Sequence, residues 1–288
     1  MSKRKIDILV ISDVHLGTYG CQSKSLLNYL NSIKPKQVIL NGDIIDIWQF
    51  SKNYWPKSHM KVVQKIIKWT SQGIPVHYVT GNHDELLRKF AGFEMGTLRI
   101  VNKLVLNLDG NKTWIFHGDV FDVTMKHSKW LTRLGSHGYD FLILLNAACN
   151  WVMEKMGKGK ISLSKNIKNS VKQAVKFIND FEKTVAEIAI ANHYSHVLCG
   201  HIHHPEIKTL SNENGSVIYL NSGDWIENLT ALEYTNGEWR LYKYDEKDFP
   251  KEGEETESDD LVMMSNEKIF NQMLHEFLED SEPDNTAN

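Results

Sequence analysis

A chain of 288 residues can form one large domain, or a domain with a sizeable insertion. Its 41% hydrophobic and 24% charged content is that of an ordinary globular protein, and no run approaches the roughly 18 consecutive apolar residues of a membrane-spanning helix. The three cysteines are far apart and in no zinc-like spacing, which argues against a disulfide framework. The first apolar run, Ile6–Ser12, carries an acid and lacks a cleavage site, so it predicts a strand rather than a signal peptide. We therefore expect a reduced, cytoplasmic protein.

Charge is distributed unevenly along the chain. Residues 251–288 hold twelve Asp or Glu against two Lys, a balance of −10. Because the net charge of the whole chain is −3, the remaining residues carry +7. Residues 120–195 alone hold eleven Lys or Arg against six acids. A mildly basic body suits an anionic substrate, although solvated surface is the more common explanation of such a balance.

Alternating strand and helix signals predict an α/β protein. The strand signals lie at residues 6–12, 37–41, 75–80, 113–117, 195–199, 216–220, 229–234 and 238–244. Amphipathic segments, of which 60–70 has the clearest helical period, separate the first four. Residues 124–193 show helical patterns only. The predicted architecture is a sheet-based core of residues 1–123 and 194–250, with a helical cap inserted at 124–193 and an acidic, disordered tail at 251–288.

The last four strand signals are close together and are separated by turn sequences. Asn212-Glu-Asn-Gly215 and Thr235-Asn-Gly237 each carry Asn-Gly, the strongest short-range hairpin signal. The sequence therefore predicts antiparallel hairpins in this part of the chain.

Five short motifs of Asp, His, Asn and Gly each follow an apolar run. They are Asp13-Val-His15, Gly42-Asp43-Ile-Ile-Asp46, Gly81-Asn82-His83-Asp84, His117-Gly118-Asp119 and Gly200-His201-Ile-His203. Ligand sites in α/β sheets collect where strands end, so five strand ends can bring these side chains to one crevice. Oxygen and imidazole donors without a thiolate favour Mn²⁺, Fe or Zn²⁺. Each motif alone is weak, but the five together predict a metal site.

The same set of motifs resembles that of the calcineurin-like metallophosphoesterases, over residues 6–245 or so. The resemblance implies an αββα sandwich of two packed mixed sheets with an inserted helical cap. It also implies two divalent metal ions as cofactors, with Mn²⁺ expected and Fe or Zn as alternatives. By resemblance, one ion is held by Asp13, His15, Asp43 and His203, and the other by Asp43, Asn82, His117 and His201.

The resemblance also implies roles for neighbouring residues. His83 resembles the family's non-ligand histidine beside the scissile phosphate, where it can donate to a phosphoryl oxygen or protonate the leaving group. Asp84 either orients His83 in catalysis or caps the helix that follows, and capping is the favoured interpretation. Asp46 and Asp119 are expected to orient ligand histidines.

A narrower resemblance extends beyond these motifs. The segments His117–Asp122, Ser162–Lys165, Val171–Val175, Gly200–Pro205 and Tyr219–Trp225 are similar to those of the UDP-2,3-diacylglucosamine diphosphatase branch. Members of that branch hydrolyse a nucleotide-linked diacylated sugar at the cytoplasmic membrane face, in lipid A assembly. The substrate-binding residues that this implies are Asn82, His83, Asp122, Ser162, Lys165, Asn166, Lys168, Lys172 and His201. The chain departs from the branch at His83, where the branch has Arg, and at Asn169, where its cap has Lys.

Several features fit either a substrate site or ordinary packing. Lys165, Lys168 and Lys172 share one helical face, which is either phosphate-facing or solvated. The apolar segment Tyr139–Met153 lines an acyl-chain groove or, more commonly for such a pattern, forms the interior of the cap. The aromatic residues Trp48, Tyr54 and Trp55 either form the floor of a substrate pocket or pack in the core or at the rim. Trp225 is expected to be structural.

Three functions follow as hypotheses. The first is hydrolysis of the pyrophosphate of UDP-2,3-diacylglucosamine, with loose peripheral contact to an anionic membrane on its inner face and no obligate protein partner. The second keeps the metal site but acts on another nucleotide, a phosphodiester or nucleic acid; nucleic acid is not favoured, because no run of basic and stacking residues predicts a strand-tracking groove. The third is a non-catalytic scaffold, which the complete set of seven ligand positions opposes.

Overall fold

The structure, a computed structural model, describes residues 3–48, 54–121 and 164–249, and within these every side chain except those of 164–174. The strands of this part are β1 (Arg4–Ile11), β2 (Ile33–Asn41), β3 (Val76–Val79), β4 (Glu94–Met95), β5 (Leu98–Val101), β6 (Leu104–Leu108), β7 (Asn111–Ile115), β8 (His196–Cys199), β9 (Glu206–Asn212), β10 (Gly215–Asn221), β11 (Thr230–Thr235) and β12 (Glu238–Lys243). The α-helices are α1 (Ser23–Ser32), α2 (Lys57–Ser71) and α3 (Ser164–Ala191). Short 3-10 helices span Glu85–Phe90, Asp119–Phe121 and Glu246–Asp248.

The strands form two mixed sheets. One has seven strands in the order β12-β11-β1-β2-β3-β5-β4, and the other has five in the order β6-β7-β8-β10-β9. Strands β1, β2, β3 and β5 are parallel, as are β7, β8 and β10, while the outer strands pair antiparallel. Because parallel neighbours end at the same edge of a sheet, the carboxyl ends of β1, β2 and β3 lie together, and so do those of β7 and β8.

The two sheets pack face to face, as the alternation of side chains along β1 requires. Ile8 and Val10 point into one apolar cluster, which combines residues of both sheets, whereas Leu9 and Ile11 point into the cluster beneath the helices. The cluster between the sheets contains Ile8, Val10, Ile39, Val79, Ile115, Leu198, Leu220, Leu232 and Tyr234. Burial of an aliphatic side chain contributes roughly 1.5–3 kcal/mol, so this layer fixes how the two sheets meet.

Helices cover the outer faces of both sheets. Helices α1 and α2 bury Leu26, Tyr29, Val62 and Trp69 against the seven-stranded sheet. Helix α3 buries its C-terminal half, including Phe181, Val185 and Ala189, against the five-stranded sheet. The predicted αββα sandwich of two packed mixed sheets is therefore confirmed.

Helix α3 overlaps the end of the helical cap predicted at 124–193. Its C-terminal half packs on the outer face of the five-stranded sheet. The boundaries of the cap stay a prediction. Residues 122–163 and the predicted acidic tail, 251–288, lie outside the described residues.

Candidate metal centre

The predicted ligands occupy five loops at the carboxyl ends of β1, β2, β3, β7 and β8. In four of these loops the first ligand is the second residue after the strand, and in the loop after β3 it is the third. These first ligands are Asp13, Asp43, Asn82, His117 and His201. Both sheets therefore contribute to one edge of the sandwich, as the motif positions predicted.

The backbone is turned sharply at most of these ligands. Positive φ values occur at Asp13 (50°), His15 (51°), Asp43 (53°), His201 (67°) and His203 (49°). A non-glycine residue in this left-handed region costs roughly 1–2 kcal/mol. Such strain is common where a side chain must be held in a particular direction for function, so these five outliers support the site predicted at this edge.

Two glycines leave the space that the carboxylates need. A Cβ added at Gly81 would lie 2.2 Å from Asp43 Oδ1, and one at Gly200 would lie 2.5 Å from Asp13 Oδ2. Both distances are far below van der Waals contact, so any larger residue would displace a predicted ligand. Glycine at these positions is required by close packing around the carboxylates.

The donor atoms converge into overlapping groups. Each group lies within 4.8 Å, and the groups are Asp13 with His15 and His203, His15 with Asp43 and His83, and Asp43 with His117 and His201. The first contains three of the four ligands predicted for one ion and lacks Asp43, and the third contains three of the four predicted for the other ion. Asp43 occurs in the second and third groups, and its sharing between two ions stays a prediction. His83 lies close to the donor atoms of His15 and Asp43. Its position is therefore compatible with a metal ligand or with a residue beside the ions.

The two aspartates are held in the same manner. Asp13 Oδ2 accepts a hydrogen bond from the His201 amide at 3.1 Å, and Asp13 Oδ1 lies 3.1 Å from His203 Nε2. Asp43 Oδ1 accepts from the His83 amide at 2.9 Å, and Asp43 Oδ2 lies 3.1 Å from His117 Nε2. Each carboxylate thus has one oxygen anchored by a loop amide and the other facing an imidazole nitrogen.

Several of these facing atoms lack hydrogen bonds, which tests whether the site fits metal ions. In the described part of the chain, no hydrogen-bond partner is present for the buried atoms Asp13 Oδ1, His15 Nε2, Asn82 Oδ1 and His117 Nε2. Leaving His15 Nε2 or Asn82 Oδ1 buried and unpaired costs about 1–3 kcal/mol, whereas Asp13 Oδ1 and His117 Nε2 each lie 3.1 Å from an ionisable group. Ligands bonded at about 2.0–2.2 Å to one cation lie about 3 Å from each other, as the facing atoms do here. The residues present therefore fit divalent cations.

Polar groups behind the histidines fix which ring nitrogen faces the site. His117 Nδ1 lies 2.8 Å from the backbone oxygen of Asn41 and donates to it, so Nε2 is left for the site. His15 Nδ1 lies 3.3 Å from Asp46 Oδ2, and His83 Nδ1 lies 2.8 Å from the same oxygen. The structure thus places Asp46 where it can orient two histidines. Asn41 was not singled out from the sequence, because it acts through its backbone.

Asp84 does not make the contacts proposed for it from sequence. Its side chain does not cap the 3-10 helix that follows, so the capping interpretation is wrong. The carboxylate is fully buried and accepts hydrogen bonds from the Ile44 amide, the Gly81 amide and the Tyr78 hydroxyl. Burial, followed by the charge of Asp43, raises the pKa of Asp84 to about 6. These contacts assign Asp84 to holding the loop, in place of the predicted contact with His83.

Asp119 also has a different partner from the one expected. In place of a contact with a ligand histidine, its carboxylate pairs with the guanidinium of Arg88. Arg88 follows the Asn82 loop in the chain and was not singled out from the sequence.

The aromatic residues near the site divide between rim and core. Trp48 is 65% exposed and donates from Nε1 to the Asn82 carbonyl at 3.0 Å. The Tyr54 ring contacts that of Tyr19 at an interplanar angle of 39°, with centroids 3.9 Å apart, and Trp225 is fully buried. Packing is thus the better interpretation for Tyr54 and Trp225, while Trp48 lies at the surface beside the Asn82 loop.

The substrate-binding residues expected in the cap stay predictions. Asp122, Ser162 and the apolar segment Tyr139–Met153 lie outside the described residues. The side chains expected to bind phosphate from α3 are likewise not described, and they are Lys165, Asn166, Lys168 and Lys172.

Electrostatics at the site favour charged forms of facing groups. Burial opposes ionisation of Asp13, but His203 and His117 outweigh it and lower the pKa of Asp13 to about 2. Burial likewise opposes protonation of His203, but the Asp13 carboxylate outweighs it and raises the pKa of His203 to about 9. Without metal, the pair is therefore an imidazolium beside a carboxylate at neutral pH.

Metal affinity should rise with pH as a consequence. An ion that binds His203 must displace its proton, so the apparent affinity is expected to increase about tenfold per pH unit up to about pH 9 and then level off. Titration calorimetry of the metal-free protein with Mn²⁺, in two buffers of different ionisation enthalpy, measures the released protons directly. Equal affinity at pH 6 and pH 8.5, with no proton release, would contradict this electrostatic account.

Comparison with known proteins identifies the class. The family model for calcineurin-like phosphoesterases matches residues 6–205 of the 288-residue chain. The chain therefore belongs to the calcineurin-like phosphoesterase family. It is a phosphoester hydrolase of the metallophosphoesterase class, and the donor groups above are those that divalent ions require.

More specific relatives share one name. The chain is 22% identical over 241 residues to the UDP-2,3-diacylglucosamine hydrolase of Aliivibrio fischeri, covering 82% of this chain and 98% of the relative. It is 28% identical over 193 residues to the UDP-2,3-diacylglucosamine hydrolase of Shewanella baltica, covering 66% and 76%. Among solved structures, an archaeal phosphodiesterase is similar with a TM-score of 0.40 and 15% identity, covering 82% of this chain and 98% of that one. A likeness of that size says nothing about activity.

Proposed function

We propose that the chain hydrolyses the pyrophosphate bond of UDP-2,3-diacylglucosamine, giving the lipid monophosphate and UMP, as a step of lipid A biosynthesis. The observation that carries the phosphohydrolase part is the convergence of the predicted donors at one edge of the sandwich. The relatives named UDP-2,3-diacylglucosamine hydrolase, matched over most of the chain, support the choice of substrate.

The ligand assignment forms part of this proposal. Asp13, His15, Asp43 and His203 hold one ion, and Asp43, Asn82, His117 and His201 hold the other, with Mn²⁺ expected and Fe or Zn as alternatives. Two ions held there would supply Lewis-acid activation of water and would neutralise charge on the phosphoryl oxygens. The carboxylate of Asp43 would offset the repulsion between the two cations. His83 donates a hydrogen bond to the phosphoryl group from a position that Asp46 fixes.

A lipid-linked substrate requires access to a membrane surface. No helix in the described ranges is long and apolar enough to span a bilayer. The proposal is therefore loose, peripheral attachment to an anionic membrane on its cytoplasmic face, through the predicted cap. Such attachment is salt-sensitive, because basic side chains contribute only where ions do not screen them.

A substrate panel with Mn²⁺ tests the proposal. It compares UDP-2,3-diacylglucosamine, the unacylated UDP-sugar, a nitrophenyl phosphodiester and single-stranded DNA. Each buried methylene contributes about 0.8 kcal/mol, so burial of only four methylenes is worth about 3 kcal/mol, a preference of more than about a hundredfold in kcat/KM for the acylated substrate. Asp43→Asn protein purified in parallel is the control for contaminating hydrolases.

One feature favours a second candidate, a metallophosphoesterase for a soluble nucleotide or phosphodiester. His83 stands where the diphosphatase branch has Arg, so the group beside the phosphate differs from that branch. Equal kcat/KM for the acylated and unacylated UDP-sugars would end the lipid proposal and support this alternative. Absence of hydrolysis of all four substrates, in protein that binds two ions, would support the scaffold hypothesis.

A further inference from the structure

The loop that carries Asn82 is held at nearly every backbone polar group. Two of its amides donate to carboxylates, that of Gly81 to Asp84 and that of His83 to Asp43. Its three carbonyls accept hydrogen bonds, that of His83 from the Ile47 amide, that of Asn82 from Trp48 Nε1 and that of Gly81 from Arg88. Most of these partners belong to the seven-stranded sheet or the loops that follow its strands. Arg88 differs, because its guanidinium also reaches the other sheet.

Arg88 joins two ligand loops that come from different sheets. Its Nη2 donates to the Gly81 carbonyl at 3.3 Å and also pairs with the Asp119 carboxylate. Gly81 lies in the loop after β3 of the seven-stranded sheet, and Asp119 lies in the loop after β7 of the five-stranded sheet. The Asp119 side chain is 8% exposed and that of Arg88 is 34% exposed, so the pair is shielded from most of the solvent.

The two joined loops carry donors proposed for the same ion. Asn82 is adjacent to Gly81, and His117 is two residues before Asp119. The buried Asn82 Oδ1 and His117 Nε2 both lack a hydrogen bond in the part of the chain that the structure describes. Their separation therefore depends on how the two loops are held relative to each other.

We propose that Arg88 is a positioning residue that fixes Asn82 relative to His117 and so sets the affinity for the ion that they share. This inference rests on the proposed function only in assigning those two residues to one ion. A group that orients metal ligands from behind typically changes metal affinity by about 10–100-fold when it is removed. The planar guanidinium suits this role because it can donate to two acceptors at once in a fixed geometry.

Two simpler accounts make different predictions. If Arg88 acted only through its charge, removing that charge would reduce repulsion of a cation and tighten metal binding. If the Arg88–Asp119 pair served only the fold, its loss would lower the unfolding temperature and would affect both ions alike. Only the positioning role predicts that removing the positively charged Arg88 side chain weakens the binding of one metal ion and not the other.

The test is Mn²⁺ titration calorimetry of the full-length metal-free protein, with the variants Arg88→Met, Arg88→Lys and Asp119→Asn. We expect Arg88→Met and Asp119→Asn to weaken one of two ions by about 10–100-fold and to leave the other within about threefold. Arg88→Lys keeps the charge but not the planar geometry of the Nη2 donors, and it is expected to fall between Arg88→Met and wild type. Lys89→Met removes a charge from the exposed neighbouring residue and should bind both ions normally.

A double-mutant cycle and a rescue experiment complete the test. The variant with both Arg88→Met and Asp119→Asn should bind no more weakly than the worse single variant, because the two residues act through one contact. Saturating Mn²⁺ should restore most of kcat in Arg88→Met, without a change in KM. Tighter or unchanged binding in Arg88→Met, or equal weakening of both ions, would overturn the inference while leaving the metal assignment intact. A wild-type protein that binds fewer than two ions would overturn both.

Discussion

Asp43→Asn is expected to abolish hydrolysis while leaving the fold nearly unchanged. Asparagine keeps the shape of the side chain, and its oxygen can still accept from the His83 amide, as Asp43 Oδ1 does at 2.9 Å. The substitution removes the charge that faces His117 Nε2 and that the proposal places between two cations. Losing the clamp on the attacking and leaving oxygens should cost about 5 kcal/mol or more of transition-state stabilisation, a fall of about 10⁴-fold in kcat.

Metal analysis and calorimetry check this expectation. Protein prepared with saturating Mn²⁺ should hold about two ions per chain, and Asp43→Asn should hold fewer, with an unfolding temperature within a few degrees of metal-free wild type. Asp7→Asn is the matched control, because Asp7 pairs with Lys36 at the surface, away from the five ligand loops. Asp43→Asn protein that keeps both ions and full turnover would refute the shared-carboxylate assignment.

The part of the fold that carries the ligands could be predicted because its strands are buried. Strands β1, β2, β3 and β8 each end in a run of buried residues, so an apolar segment stands directly before each of their motifs. Strand β7 alternates in burial, but its last residue, Ile115, and the following Phe116 are both buried before His117. The Thr235-Asn-Gly237 sequence correctly predicted a hairpin, since Thr235 pairs with Glu238 across a two-residue turn with positive φ at both Asn236 and Gly237.

The missed elements lack such runs. Strands β6 and β9 alternate between half-buried and exposed residues, and β4 is only two exposed residues long. Their pairing depends on partners elsewhere in the sheet, which local composition does not reveal. Helix α1 was expected only as an amphipathic segment without bounds, because it has no acidic residue in its first turn, no basic residue in its last turn and no side-chain cap.

Within the site, the sequence predicted the donor types and Asp46, but not the other groups that hold the donors. His117 is oriented by a backbone carbonyl 76 residues away, and Asp119 is paired with Arg88, 31 residues away. Neither contact has a sequence pattern, because a carbonyl is present at every residue and a long side chain can reach many partners. The glycines next to the predicted ligands are visible in the sequence. The steric clash that each one avoids depends on neighbours that only the folded chain brings close.

His83→Ala is expected to lower kcat by about 10²–10⁴-fold with both ions retained, the usual range for losing acid–base assistance. The His83 ring is 16% exposed, and its Nδ1 lies 2.8 Å from Asp46 Oδ2, so Nε2 is free of that contact. Burial lowers the pKa of His83, but hydrogen bonding to Asp46 and the charge of Asp43 outweigh it and raise the pKa. A raised pKa favours the imidazolium, the form that donates a proton.

The pH dependence of kcat separates the roles open to His83. If it acts as a general acid, activity falls as pH rises through its pKa, and Asp46→Asn, which removes the group that raises this pKa, should move that fall to lower pH. His83→Arg keeps a hydrogen-bond donor that does not titrate, so it should retain part of kcat and lose the high-pH fall. His83 also lies within 4.8 Å of donor atoms of His15 and Asp43. Loss of one ion from His83→Ala at saturating Mn²⁺ would therefore make His83 a ligand and contradict the role proposed for it.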